Sequence, residues 1–138
     1  MIQIDKKLID DLFAKAEASE RKRMHFDLRT GDEDSSQRML NALLPGTIVP
    51  IHRHPNSKEN VLCLCGRIDE VIYEEAYPKS SPEGKDLVEV SRITLDPSIG
   101  SFGCVVPAGA WHTVEALEPS VIYEAKDGKY GEDGSETL

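Results

Sequence analysis

Residues 46–66 read Gly-Thr-Ile-Val-Pro-Ile-His-Arg-His-Pro-Asn-Ser-Lys-Glu-Asn-Val-Leu-Cys-Leu-Cys-Gly. His52 and His54 stand two apart in an extended segment, so both imidazoles project from one face. Pro55-Asn56-Ser57-Lys58 is turn chemistry. It lets a following strand return alongside the first, with Glu59 carried toward the same pocket. A His-x-His pair alone is a weak signal, because surface histidines also produce it. The chain, however, has 4 histidines, and a third, His112, follows the tight turn Pro107-Ala108-Gly109-Ala110-Trp111 at the start of another strand. Three imidazoles and one carboxylate fill four positions of a divalent ion. An octahedral arrangement then leaves two for water or substrate. Such nitrogen and oxygen donors suit Zn, Fe, Mn or Ni, and the spacing does not choose among them. His25 is left over, as a structural residue or a support for the ligands.

Outward from this stretch the pattern is one of short β segments. Strands are expected near 38–43, 47–52, 59–65, 67–76, 86–95, 102–106, 112–116 and 120–126, from alternation and β-branched runs. Turn residues separate them at Pro45-Gly46, Cys65-Gly66, Pro97-Ser98-Ile99-Gly100 and Pro107-Ala108-Gly109. Pro78 to Lys85 reads as a long exposed hairpin loop. Before the strands, Leu8, Leu12 and Ala16 recur at helical spacing, widened by Ile9 and Phe13, and predict a helix over 5–19 with Asp5 as its N-cap. Arg21-Lys22-Arg23 reads as its solvated basic end, and Gly31-Asp32-Glu33-Asp34-Ser35-Ser36 as a loop. After Lys126 the chain is Gly-rich and acidic, and its last residues are expected to fray. The class is therefore mostly β, a closed or double-sheet structure with a short N-terminal α-helix.

Composition narrows the function. The 138 residues suit a single domain: leading segment 1–37, barrel 38–126 and tail 127–138. A net charge of −9 argues against a nucleic-acid partner, which would need clustered Lys and Arg. No apolar run approaches bilayer length, so no membrane role is expected. The N-terminus has no apolar signal core, and the expected location is cytoplasmic. Cys63, Cys65 and Cys104 suit free thiols in a reducing compartment. Cys63 and Cys65 share one face of a strand and read as small buried hydrophobes, with a soft ligand or redox pair as the alternative.

These residues resemble the two cupin motifs. The first, G-x5-H-x-H-x4-E-x6-G, is complete in Gly46, His52, His54, Glu59 and Gly66. The second, G-x5-P-x-G-x2-H-x3-N, is matched at Pro107, Gly109 and His112, while Ser101 stands at the leading Gly and Ala116 at the closing Asn. The departures fall on turns and spare the ligands. The resemblance implies a cupin (jelly-roll) β-barrel holding one divalent transition metal through His52, His54, Glu59 and His112. It also implies pairing as a homodimer through sheet edges or an exchanged N-terminal segment, to which the alternating Ile2-Gln3-Ile4 could contribute; a monomer is the alternative.

A narrower resemblance, to the WbuC family, rests on Ser19-Glu20-Arg21-Lys22-Arg23, Gln37-Arg38-Met39-Leu40-Asn41-Ala42, Pro45-Gly46-Thr47, His52-Arg53-His54-Pro55, Pro107 to Thr113 and Tyr123 to Tyr130. Arg29 stands where that family places a His, and Lys129 where its Gly-Pro-Tyr has Pro. The family is associated with bacterial surface-polysaccharide (O-antigen) gene clusters. The expected function is a metal-dependent enzyme acting on a small polar molecule, a sugar or nucleotide sugar, for instance by isomerisation or epimerisation. Arg53, Tyr123, Lys126 and Tyr130 are the candidate substrate groups. An Fe(II) dioxygenase and a non-catalytic ligand-binding or sensor protein are the alternatives.

Overall fold

Asp5 opens the helix by accepting a hydrogen bond from the Leu8 amide, 3.0 Å away, which satisfies one of the orphan donors of the first turn. Helix α1 then runs Lys6–Ala18. Its stripe of Leu8, Ile9, Leu12, Phe13 and Ala16 packs on Leu40, Ala42 and Val121. Lys22, with φ 57, turns the chain out of the helix. Here the structure departs from the sequence reading. Arg23 belongs to no helix end but opens a strand, β1 (Arg23–Asp27), whose Met24 and Phe26 join the cluster under α1.

The computed structural model describes residues 1–76, 86–129 and 131–138, so the loop expected at Pro78 to Lys85 lies outside the described residues, as does Tyr130. The further strands are β2 (Ser36–Leu43), β3 (His52–Arg53), β4 (Glu59–Cys65), β5 (Ile68–Glu75), β6 (Leu87–Leu95), β7 (Gly103–Val106), β8 (Trp111–Ala116), β9 (Ser120–Asp127) and β10 (Glu136–Thr137). They form two five-stranded sheets, ordered β1-β2-β9-β4-β7 and β10-β3-β8-β5-β6. The described ladders are antiparallel throughout. Among the described residues no helix is long and apolar enough to cross a membrane.

Three local expectations change. The strand expected at 47–52 contracts to β3, because the chain before it joins no ladder. The tail does not fray: Glu136 pairs with Arg53 and Thr137 with His52 as β10. Cys63 and Cys65 do not share a face, since the register of β4 against β9 shifts between them. A bulge adds one residue and turns the side chains after it. Cys63 therefore lies in the inner core, while Cys65 packs with the cluster under α1. Ile2-Gln3-Ile4 enters no strand. The Gly66 turn does require glycine: φ is +87 and a Cβ would meet Ser120 Oγ at 2.2 Å.

Inside the sandwich, alternation sorts each strand into inward and outward residues. At one end the inward residues are apolar: Leu43, Val61, Cys63, Ile68, Leu95, Val106, Val114 and Ile122. One or two inward steps along the same strands they become Asn41, Glu59, Glu70, His112 and Glu124, which line a cavity of about 630 Å³. A single barrel thus carries a dry floor and a polar chamber above it.

Candidate metal centre

β3 puts His52 into register with His112 of β8, and the turn after β3 brings Glu59 back at the head of β4. One donor atom from each of His52, His54, Glu59 and His112 lies within 4.8 Å of the others. Ring centroids are 5.0 Å apart for His52 and His54, 4.3 Å for His52 and His112, and 5.3 Å for His54 and His112. Gly109 helps set this turn; its amide donates to the His54 carbonyl at 2.9 Å.

The far side of each ring is already engaged. His52 Nδ1 lies 2.8 Å from the Pro50 carbonyl and His112 Nδ1 lies 2.9 Å from the Ala110 carbonyl. Carbonyl oxygens only accept, so both Nδ1 atoms carry the proton and, in the neutral rings, both Nε2 atoms present a lone pair. His54 reaches the same state through a relay. Ser135 Oγ gives its proton to Asp133 and so accepts from His54 Nδ1 at 2.6 Å. Three Nε2 lone pairs then converge beside a carboxylate. His54 Nε2 is 2.9 Å from Glu59 Oε2, and His112 Nε2 is 3.6 Å from Glu59 Oε1. The Nε2 atoms of His54 and His112 are buried and have no hydrogen-bond partner. Acceptors crowded on acceptors call for a shared cation, and the donor set fits a divalent transition metal.

Burial disfavours charge on His52, and the neighbouring His112 adds to this, pulling its pKa down to about 4. Burial also works against ionised Glu59; in the metal-free site a proton on His112 or His54 would outweigh it and hold the carboxyl low, at about 2, and a metal cation in the proton's place acts in the same direction. Neutral imidazole and ionised carboxylate are the forms that ligate.

Two further carboxyls share the chamber. Glu70 is 3% exposed. Burial, then the charges of Glu59 and Glu124, push it up to about 9 from an ordinary 4.5. Glu124 is raised by burial and by Glu59, against a hydrogen bond from Asn41 Nδ2 at 3.3 Å. Glu70 thus holds its proton when folded and loses it when unfolded across the window from 4.5 to about 9. The unfolded chain binds fewer protons there, so stability falls as pH rises, by about 1.4 kcal/mol per unit for this group. Glu70→Gln should remove that slope. In metal-free protein melted at pH 6 and pH 8, the variant is expected to lose roughly 3 kcal/mol less than the parent over the interval. Parallel losses would disprove it.

The proposed substrate residues fall in different places. Arg53 projects away from its histidine neighbours, stacks over Trp111 at 4.6 Å and pairs with Glu136 at 2.8 Å. Tyr123 packs with the cluster under α1. Lys126 does line the chamber, but its ammonium is bound to Asp133 and to the Gly128 carbonyl. His25 sits on β1 at the chamber mouth, outside the four-residue cluster. The sequence reading missed Glu70, Glu124, Asp133 and Ser135. For the first two a signal existed. Glu70 shares its phase with Ile68, and Glu124 with Ile122, so both carboxyls lie on apolar faces.

A family model described as "Domain of unknown function (DUF6016)" matches residues 4–79. No curated protein sequence matches the chain. Among solved structures, the capsular polysaccharide assembling protein CapF from Staphylococcus aureus is similar, with a TM-score of 0.59 and 16% identity over 87% of this chain and 32% of CapF. Oxalate oxidase in complex with glycolate gives 0.56 and 15% over 88% of this chain and 57% of its own. A conserved protein of unknown function from Streptococcus pyogenes gives 0.56 and 14% over 82% and 80%. The chain spans less than two thirds of the first two of these proteins. The similarities identify the fold as a cupin jelly roll.

Proposed function

Because the chain belongs to the DUF6016 family, a domain of unknown function, its chemistry has to be read from the site, and we propose that it is a metal-dependent enzyme acting on a small polar metabolite. A sugar or nucleotide sugar of bacterial surface-polysaccharide biosynthesis is the substrate class we favour. The observation that carries the metal is the convergence of His54 and His112 Nε2 on the Glu59 carboxylate with no proton donor between them. The polysaccharide setting draws support from the resemblance to the WbuC family and from the fold shared with CapF, itself described as capsular polysaccharide assembling.

When bound, a divalent metal would supply Lewis acidity toward a carbonyl or hydroxyl oxygen. The chain's own residues supply the rest. Glu59 is committed as a ligand and is not free to act as a base. Glu70, held protonated near neutral pH, is a proton donor on the chamber wall, and Glu124 is a second carboxyl raised in the same direction. Two carboxyls beyond the ligand set, both with raised proton affinity, are the kind of group that proton-transfer chemistry uses, which favours an enzyme over a sensor. A keto-sugar isomerisation or epimerisation uses such groups to move protons.

Elemental analysis of protein never exposed to a nickel column is expected to return close to one transition metal per chain. A metal-free preparation that also refuses added Zn, Mn, Fe and Ni would end this reading. Oxygen consumption by the iron-loaded protein would move it to the dioxygenase alternative.

A further inference from the structure

The wall of the chamber opposite the helix is cationic by construction. In β1, Met24 and Phe26 face α1, so Arg23 and His25, out of phase with them, face the chamber, with Arg21 just before the strand. Most cations nearby are already neutralised. Arg29 is bound by Asp27 at 2.9 Å, and Lys126 by Asp133. Arg21 and Arg23 are different. Arg23 Nη1 donates to the Ile48 carbonyl at 2.6 Å, which fixes the guanidinium without cancelling its charge. Burial, and then the charge of Arg21 beside it, work against that guanidinium, and among the described residues no carboxylate opposes them. Two like charges beside each other at the mouth of a cavity suit an anion that joins them.

A second observation lies on the neighbouring strand. Asn41, directly opposite His25 in the ladder, leaves its buried Oδ1 unpaired while its Nδ2 serves Glu124. A buried acceptor in this state asks for a donor from a ligand.

We propose that the substrate is a small hydroxylated oxyanion, its phosphate or carboxylate held by Arg21 and Arg23 and a hydroxyl donating to Asn41 Oδ1. This rests on the metal-centre reading and names the substrate class of that chamber. Guanidinium forks match both oxyanions in geometry and form charge-assisted hydrogen bonds with them. The same contact orients the rest of the molecule toward the three histidines.

The test titrates metal-loaded protein with glycerol 3-phosphate, glycerate and glycerol, which share a hydroxylated backbone and differ in the anion. At least one charged probe should bind tenfold or more tighter than glycerol, and which of the two wins identifies the oxyanion. Arg21→Gln and Arg23→Gln should each lose tenfold or more of that preference and keep their metal by elemental analysis. Arg23→Lys should retain part of it. Should Arg23→Gln not fold, the exposed Arg21 carries the test. Equal binding of charged and neutral probes overturns the proposal. So does an anion preference untouched in the arginine variants, which would mean that the metal alone holds the anion. A protein that refuses added metals yet still selects the anion through these arginines would uphold this proposal and end the metal reading.

Discussion

His112→Ala is expected to emerge without metal while keeping its barrel. The residue is 2% exposed and supplies the only donor from β8, in register with His52. Loss of a group that merely supports a ligand costs about 10–100-fold in metal affinity, and removal of a ligand should exceed that. The apolar floor does not use this imidazole, so circular dichroism should retain its β signature. His52→Ala and His54→Ala should behave alike, and Glu59→Gln should weaken binding because an amide is a poorer ligand than a carboxylate. His25→Ala is the control and should keep its metal. Acid should mimic the ligand variants, with affinity falling as pH drops toward about 6 and protons compete for imidazole. His112 should yield first: burial lowers its pKa but the Glu59 contact outweighs this and raises it, whereas His52 is held near 4. If His25→Ala strips the metal and His112→Ala does not, the third imidazole has been misassigned.

Asp133→Ala should strike both the fold and the site. Its carboxylate is 4% exposed and pairs with an ammonium that is 2% exposed, that of Lys126. Burial raises the Asp133 carboxyl, but Lys126 and Ser135 outweigh it and bring it to about 2. Removing one partner of a buried pair strands the other charge, at about 3–5 kcal/mol. The pair lies just beneath the surface, which favours the lower end. Asp133 also takes the Ser135 proton that lets Ser135 receive His54 Nδ1–H. Metal affinity should therefore fall by roughly 10–100-fold as well. The double variant Lys126→Met/Asp133→Leu removes both charges and should recover most of the urea stability but none of the metal affinity. An Asp133→Ala protein that melts with the parent would refute the account.

The clustering of His52, His54, Glu59 and His112 was legible because its chemistry sits in a compact spacing: two histidines in one strand phase, a turn, a carboxylate, and a third histidine behind a glycine turn. Helix α1 and most strands were legible from their periodicity. What escaped depended on tertiary contacts. β1 hides behind a basic tripeptide that resembles a helix end, and its apolar phase is only Met24 and Phe26. β10 is two residues long, with no propensity of its own, and exists because β3 offers it an edge. Arg53 attracted a substrate role by adjacency to two histidines, yet strand alternation sends it to the opposite face. Tyr123 fell to the same rule, out of phase with the inward Ile122 and Glu124.

The clasp between Ser135 and His54 joins residues 81 positions apart. During synthesis the three-residue His-Arg-His segment leaves the ribosome long before Ser135 does. Until then nothing fixes the proton on the outer nitrogen of His54, and the strand that lies along His52 does not yet exist. Birth order therefore completes this corner only well after its histidines are made, and a nascent chain carries exposed imidazoles before it can hold them in one arrangement.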